Sequence, residues 1–133
     1  MINVLGLMSG TSCDGLDCCD VQIELDENYN FSYKINKFKT IVYKKDEKAF
    51  LLSIRNSKNN NKYIEEQKIT RIFIDKINKF SNDISKFDLI SCHGQTVLHI
   101  DKIVSTQLLD PTILFNEYKV PVVYNFRETD IEL

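Results

Sequence analysis

Residues 6–17 read Gly6-Leu7-Met8-Ser9-Gly10-Thr11-Ser12-Cys13-Asp14-Gly15-Leu16-Asp17, and they hold three of the chain's four glycines. The run grows out of the apolar stretch Ile2-Asn3-Val4-Leu5-Gly6-Leu7-Met8, which reads as a mostly buried strand. After it, Cys19, Val21, Ile23 and Leu25 alternate with Asp20, Gln22 and Glu24, the period of two of a half-buried strand. A polar tight turn therefore joins two strands. Glycines there let the main chain approach a ligand closely and take φ > 0. Successive backbone N–H groups in such a turn make a concave donor surface suited to phosphate. Asp14 and Asp17 offer the oxygen ligands that Mg²⁺ takes while keeping several waters. The plain alternative is a hairpin turn of the same composition with no ligand. The run has no lysine after Gly10 or Gly15 to match GxxxxGK[ST], it is not GxGxxG, and it leads into a strand rather than a helix.

Outward from the turn, Asp26-Glu27-Asn28 ends the second strand and a third is predicted over Phe31 to Tyr43. Phe31, Tyr33 and Ile35 share one of its faces, and the phase then shifts to Phe38, which predicts a bulge near Asn36–Lys37. A short helix follows from about Asp46 to Arg55, with Ala49, Phe50 and Ile54 as its apolar stripe. Asn56 to Lys62 is polar and low in complexity, and reads as an exposed loop. From Tyr63 to Phe80, the spacing of Ile69, Ile72, Phe73, Ile77 and Phe80 predicts one face of a helix, with the aromatics in the core. Phe87 to Ser91 is a short strand running into Cys92-His93-Gly94-Gln95-Thr96. Asp110-Pro111 marks a helix start, Asp as N-cap and Pro at the first helical position, with Ile113, Leu114 and Tyr118 on its apolar side. Pro121 to Tyr124 is a last strand. A three-stranded antiparallel start followed by helix and strand alternation predicts a mixed α/β domain.

The chain has 133 residues, the size of one ordinary domain, and is 43% hydrophobic and 27% charged. Seventeen Lys and Arg stand against nineteen Asp and Glu, a net charge of −2, too balanced for a nucleic-acid footprint. No apolar run approaches the roughly 20 residues needed to span a bilayer. The first residues lack the pattern of a secretory signal, so the expectation is a cytoplasmic protein. Cys13, Cys18, Cys19 and Cys92 form no CxxC pair, and without an export signal a disulfide framework is not expected. Adding His93 and His99 does not produce a familiar zinc module, and Cys18 and Cys19 would point to opposite faces of a strand.

Two further polar clusters stand near strand ends. His93-Gly94-Gln95-Thr96 with His99 combines two imidazoles, an amide and a hydroxyl, donors and acceptors that suit a hydroxyl-rich ligand such as a sugar. Its bland reading is a satisfied polar loop. Asn125-Phe126-Arg127 with Asp130 follows the last strand, and there Arg127 either clamps an anion or pairs with Asp130.

GLMSGTSCDGLD, HGQTVLH, Gln107 before Asp110-Pro111, and NFRETD occur in that order. Together they resemble the N-terminal part of the anhydro-N-acetylmuramic acid kinase family, and the resemblance covers essentially the whole chain. It implies the N-terminal lobe of an actin-like ATPase (ribonuclease H-like) fold, within the superfamily of sugar kinases, Hsp70 and actin. It also implies ATP and Mg²⁺ as cofactors. The implied reaction is phosphorylation of 1,6-anhydro-N-acetylmuramic acid at O6 while water opens the anhydro bridge, giving N-acetylmuramic acid 6-phosphate for cell-wall recycling. Gly10, Thr11, Ser12, Cys13, Asp14, Gly15, Leu16 and Asp17 would be the first ATP-phosphate motif, with Asp14 and Asp17 toward Mg²⁺. His93, Gly94, Gln95 and Thr96, with Arg127 and Asp130, would form the sugar side.

The sequence also departs from the family pattern. The family's AAGGQGAP-like stretch, its DxGPGN-like segment and its adenosine-binding region have no counterpart among these 133 residues. The aspartate expected to activate water belongs to DxGPGN, so no catalytic base is expected here. Asn125 stands where the family usually has Asp, and Leu109 where it has Gly; an amide cannot act as a carboxylate base. The expectation is a truncated single lobe without kinase activity by itself, forming a homodimer or completed by a separate C-terminal chain. Its rivals are a non-catalytic sugar- or nucleotide-binding lobe and a purely structural domain.

Overall fold

Two consecutive hairpins open the chain: β1 (Ile2–Ser9) turns into β2 (Gly15–Leu25), and β2 into β3 (Phe31–Val42). In the computed structural model, which describes residues 1–55, 62–99 and 104–125, both pairings are antiparallel. Asp26 closes the second turn by accepting from the N–H groups of Asn28 (2.8 Å) and Asn30 (2.9 Å), the local bond that makes Asp a turn residue. The bulge predicted near Asn36–Lys37 is present: Lys37 faces Asp20 and Ile35 faces Val21, so Asn36 is the extra residue.

A parallel partner for β1 requires a long crossover. α1 (Lys45–Arg55) and α2 (Lys62–Phe80) provide it, delivering the chain to β4 (Leu89–His99) alongside β1. β5 (Val104–Leu108) returns antiparallel to the second half of β4. α3 (Pro111–Tyr118) then leads to β6 (Val122–Val123), parallel to the first half of β4. The sheet order is β3-β2-β1-β4-β5, with β6 beside β4, a mixed α/β arrangement matching the N-terminal lobe of an actin-like ATPase. α3 starts as its sequence predicts: the Asp110 carboxylate accepts from Thr112 N–H (3.1 Å) and Ile113 N–H (3.2 Å), with Pro111 in the first turn. No described helix is long and apolar enough to cross a membrane.

The core lies on one face of the sheet. Leu5, Leu7, Leu16, Cys18, Ile41, Ile90 and Cys92 are buried there with Leu51 and Ile54 of α1 and Ile69, Phe73 and Ile77 of α2. Each fully buried large side chain of this kind contributes about 1.5–3 kcal/mol. The predicted stripe of α2 is observed, with Ile72 partly buried, and the helix starts one residue earlier, at Lys62. In α1 the stripe is Leu51 and Ile54 with Phe50 partly buried, whereas Ala49 is exposed. Residues 56–61 of the expected loop lie outside the described residues. An unforeseen core member is Lys76, fully buried, its Nζ 2.6 Å from Glu47 of α1 and 2.8 Å from Asp75. Burial disfavours its charge, yet the bonds to Asp75 and Glu47 outweigh that and raise its pKa, so the ammonium joins α1 to α2.

The opposite face differs from the sequence reading. The apolar alternation Cys19, Val21, Ile23, Leu25 is real, but the helix-covered side of β2 is Leu16, Cys18 and Asp20. Val21 and Ile23 face outward beside Ile35 and Tyr33 of β3, and Phe38 stands opposite Cys19. Tyr33 (66% exposed), Ile35 (53%) and Phe38 (61%) make this outer face an apolar surface open to solvent.

Candidate functional site

The β1–β2 connection projects from the sheet as an open polar turn. Cys13 N–H donates to Gly10 O (3.2 Å), and Cys13 takes the left-handed conformation, φ 57°. The sequence reading gave that conformation to glycine. In fact Gly6, Gly10 and Gly15 do not adopt it; among the described glycines only Gly94 does. Gly15 answers a packing need: a Cβ there would lie 2.8 Å from Ile41 O and from Thr40 Cγ2, so its absence lets β3 close onto β2. Thr11, Ser12 and Asp14 are exposed, whereas the side chains of Cys13 and Leu16 are buried in the core.

Two cations from α1 flank this turn. Lys48 Nζ lies 2.6 Å from Asp14 Oδ1, and Arg55 Nη1 donates to Thr11 O at 2.9 Å. The sequence reading singled out neither residue. The available signal was their separation of seven, two helical turns, which puts both on one side of α1. The hydrogen bond from Lys48, with its charge and a bond from Ser12, holds the Asp14 carboxyl below its ordinary range. Asp17 accepts from Thr40 Oγ1 (2.5 Å), its opposite number across β2–β3. The two carboxylates therefore have different partners, and among the described residues no group of three His, Cys, Asp or Glu side chains gathers as a metal cage. An exposed, ionised Asp14 still fits Mg²⁺, which commonly takes one or two carboxylates plus phosphate oxygens and water.

His93 to Thr96 do not follow a strand; they lie inside β4. Cys92 pairs with Leu7 and Gln95 with Ser9, so β4 spends one more residue than β1 over this interval. Gly94 absorbs the shift at φ 82°, and a Cβ there would lie 2.8 Å from Leu108 O of β5. The slip turns Gln95 toward the same side as Ser9, where it is fully buried. Its Oε1 accepts from Ser9 Oγ, and its Nε2 faces Gly10 O (3.3 Å) and Cys13 Sγ (3.7 Å). Tyr43 OH lies 2.7 Å from the same Ser9 oxygen. Gln95 is thus buried against the β1–β2 turn, with its amide engaged there. His93 is half-buried, while Thr96 is buried opposite Gln107.

Arg127 and Asp130 lie outside the described residues. Asn125, exposed, has φ 56°, a conformation that Asn tolerates better than most residues. The Leu109 departure is also explained by packing: the side chain is buried in the core and its N–H donates to Glu66 Oε2 (3.2 Å). Cys18 and Cys19 point to opposite sides of β2, the first buried and the second half-exposed. Burial pushes the Cys18 and Cys92 thiols up to about 12, which keeps them protonated.

Comparison with known proteins gives a single answer. The family model described as anhydro-N-acetylmuramic acid kinase matches residues 2–133. The anhydro-N-acetylmuramic acid kinase of Pelagibacter ubique is 35% identical over 96% of this chain and 36% of its own length. That of Crocosphaera subtropica is 33% identical over 96% of this chain and 35% of its own. That of Bacillus cereus (strain Q1) is 30% identical over 96% and 37%. The chain thus spans a little over a third of the length of these curated relatives.

Proposed function

The chain belongs to the anhydro-N-acetylmuramic acid kinase family, and we propose that its residues 10–17 grip the phosphates of ATP within one N-terminal lobe, residues 1–133, of a cytoplasmic sugar kinase. The reaction proposed for the whole enzyme transfers the γ-phosphoryl group to O6 of 1,6-anhydro-N-acetylmuramic acid while water opens the anhydro bridge. The observation that carries this reading is the exposed polar turn flanked by Lys48 and Arg55 and tied to the buried Gln95 of the HGQT motif.

Phosphoryl transfer rests on positioning and charge stabilisation. Main-chain N–H groups and the hydroxyls of Thr11 and Ser12 supply neutral donors. Lys48 and Arg55 supply cations within reach of the turn, so a phosphate entering there meets positive charge. Asp14 is the carboxylate assigned to Mg²⁺, directly or through water, with Asp17 further along β2. His93, Gly94 and Thr96, with Arg127 and Asp130, are assigned to the sugar side; Gln95 acts on the phosphate side. The aspartate that the family resemblance assigns to activating water belongs to the DxGPGN-like segment, which has no counterpart in residues 1–133, so in this scheme they carry out no turnover by themselves.

Calorimetric titration of the purified 133-residue chain with Mg·ATP tests the binding claim, and ³¹P NMR of a mixture with anhydro-sugar tests turnover. Heat with Mg·ATP and no phosphorylated sugar is expected. Absence of heat with the nucleotide overturns the phosphate reading, and product formation overturns the claim of inactivity.

The outer sheet face favours a partner polypeptide as well. Tyr33, Ile35 and Phe38 present aromatic and aliphatic surface of the sort that a second copy or a separate C-terminal chain covers. Analytical ultracentrifugation of the chain alone distinguishes a homodimer from a monomer awaiting another chain.

A further inference from the structure

Each hydroxyl has one hydrogen to give, and that fixes the direction of every bond around Gln95. Ser9 donates to Gln95 Oε1, so its oxygen must accept from Tyr43 OH. Burial pushes the Tyr43 phenol up, which keeps its proton in place. The chain then runs one way: Tyr43 to Ser9, Ser9 to Gln95, and Gln95 Nε2 to Gly10 O and Cys13 Sγ. Tyr43 also holds the far end of the turn, donating its own N–H to Asp14 O (3.0 Å).

The carbonyls of Gly10, Thr11 and Asp14 are therefore all held by protein donors: Cys13 N–H and Gln95, Arg55, and Tyr43 N–H respectively. In a trans peptide the N–H points opposite to the C=O of the same plane, and the chain has no cis bonds among its described residues. Holding the Gly10 carbonyl inward thus turns the Thr11 N–H outward, and holding the Thr11 carbonyl toward Arg55 fixes the plane of the Ser12 N–H. Among the described residues no backbone acceptor meets either N–H.

We infer that Gln95 is a positioning residue that aims the Thr11 N–H of the β1–β2 turn at a bound phosphate, with Ser9 and Tyr43 orienting its amide. The inference rests on the phosphate reading of the turn. It moves Gln95 from ligand contact to control of the turn's shape, and it gives the chain's two strongest motifs one shared task. Gln95→Glu keeps the side-chain size and removes the amide N–H donors, placing an oxygen against the Gly10 carbonyl.

The test uses the 133-residue chain, amide hydrogen exchange followed by NMR, and titration with Mg·ATP and with Mg·tripolyphosphate, which has phosphates but no base. In Gln95→Glu, exchange at Cys13 N–H is expected to quicken at least tenfold while β2–β3 amides such as Val21 and Ile23 keep their protection. Affinity for both ligands is expected to fall at least tenfold. Tyr43→Phe, which removes the first donor of the relay, is expected to weaken both ligands about threefold and serves if Gln95→Glu does not fold. Unchanged Cys13 exchange, or affinity within twofold of the parent in a folded variant, overturns the inference. If the parent chain binds neither ligand, the phosphate reading fails, and Cys13 exchange alone decides whether Gln95 governs the turn.

Discussion

The turn over residues 10–14 and the segment His93 to Thr96 have similar compositions, each small, polar and glycine-containing, and they do opposite things. The first projects from a hairpin with Thr11, Ser12 and Asp14 exposed. The second stays in mid-strand with Gln95 and Thr96 buried. One presents polar groups outward and the other spends them inward, holding the first in shape. Composition marks both as special, and only the register of β4 on β1 separates presenter from holder.

The glycines are the sharpest place to test that contrast. Gly94 has φ 82° and Leu108 O within 2.8 Å of any added Cβ, whereas Gly10 has only Ser12 Oγ at 3.9 Å. Gly94→Ala is expected to lose about 2–4 kcal/mol in urea unfolding, combining left-handed strain with a backbone clash. A loss under about 1 kcal/mol there would mean that the register shift does not need glycine, and the contrast would break. A smaller effect sharpens the other side of the comparison. The Asp14 carboxyl is expected to titrate below its ordinary 3.8 in a pH series of carboxyl NMR shifts, because Lys48 bonds to it. A folded pKa below the unfolded one means that the pairing is intact above the ordinary value and is lost as pH falls through the lower, folded value. Lys48→Met is expected to return the midpoint upward; an unmoved midpoint would remove Lys48 from the turn. Smallest of all, Gly10→Ala is expected to leave stability within about 0.5 kcal/mol, which thermal melts would check.

Much of the frame was legible in the residues. The apolar run of β1, the period of two in β2, the bulge near Asn36, the apolar face of α2 and the Asp110-Pro111 cap all lie where the pattern puts them. These are local features, set by side-chain direction and backbone donors a few residues apart. β5 escaped the reading because Ser105, Thr106 and Gln107 give no apolar alternation. Which face of β2 the helices cover escaped it too: Val21 and Ile23 are as apolar as a core requires, yet they lie half-buried on the face the helices leave uncovered. Alternation identifies two faces, but it does not say which one meets a helix.

The sequence by itself determined that the chain starts with paired strands around a donor-rich turn and that it resembles one kinase family, because hydrophobic period, turn chemistry and motif order are all written locally. Only the tertiary structure decided that Lys48 and Arg55 flank the turn, that Cys13 and not a glycine takes its left-handed position, and that Gln95 faces Gly10. Those outcomes depend on groups 34 to 85 residues apart meeting across a crossover and a one-residue slip of register, and the local pattern fixes neither.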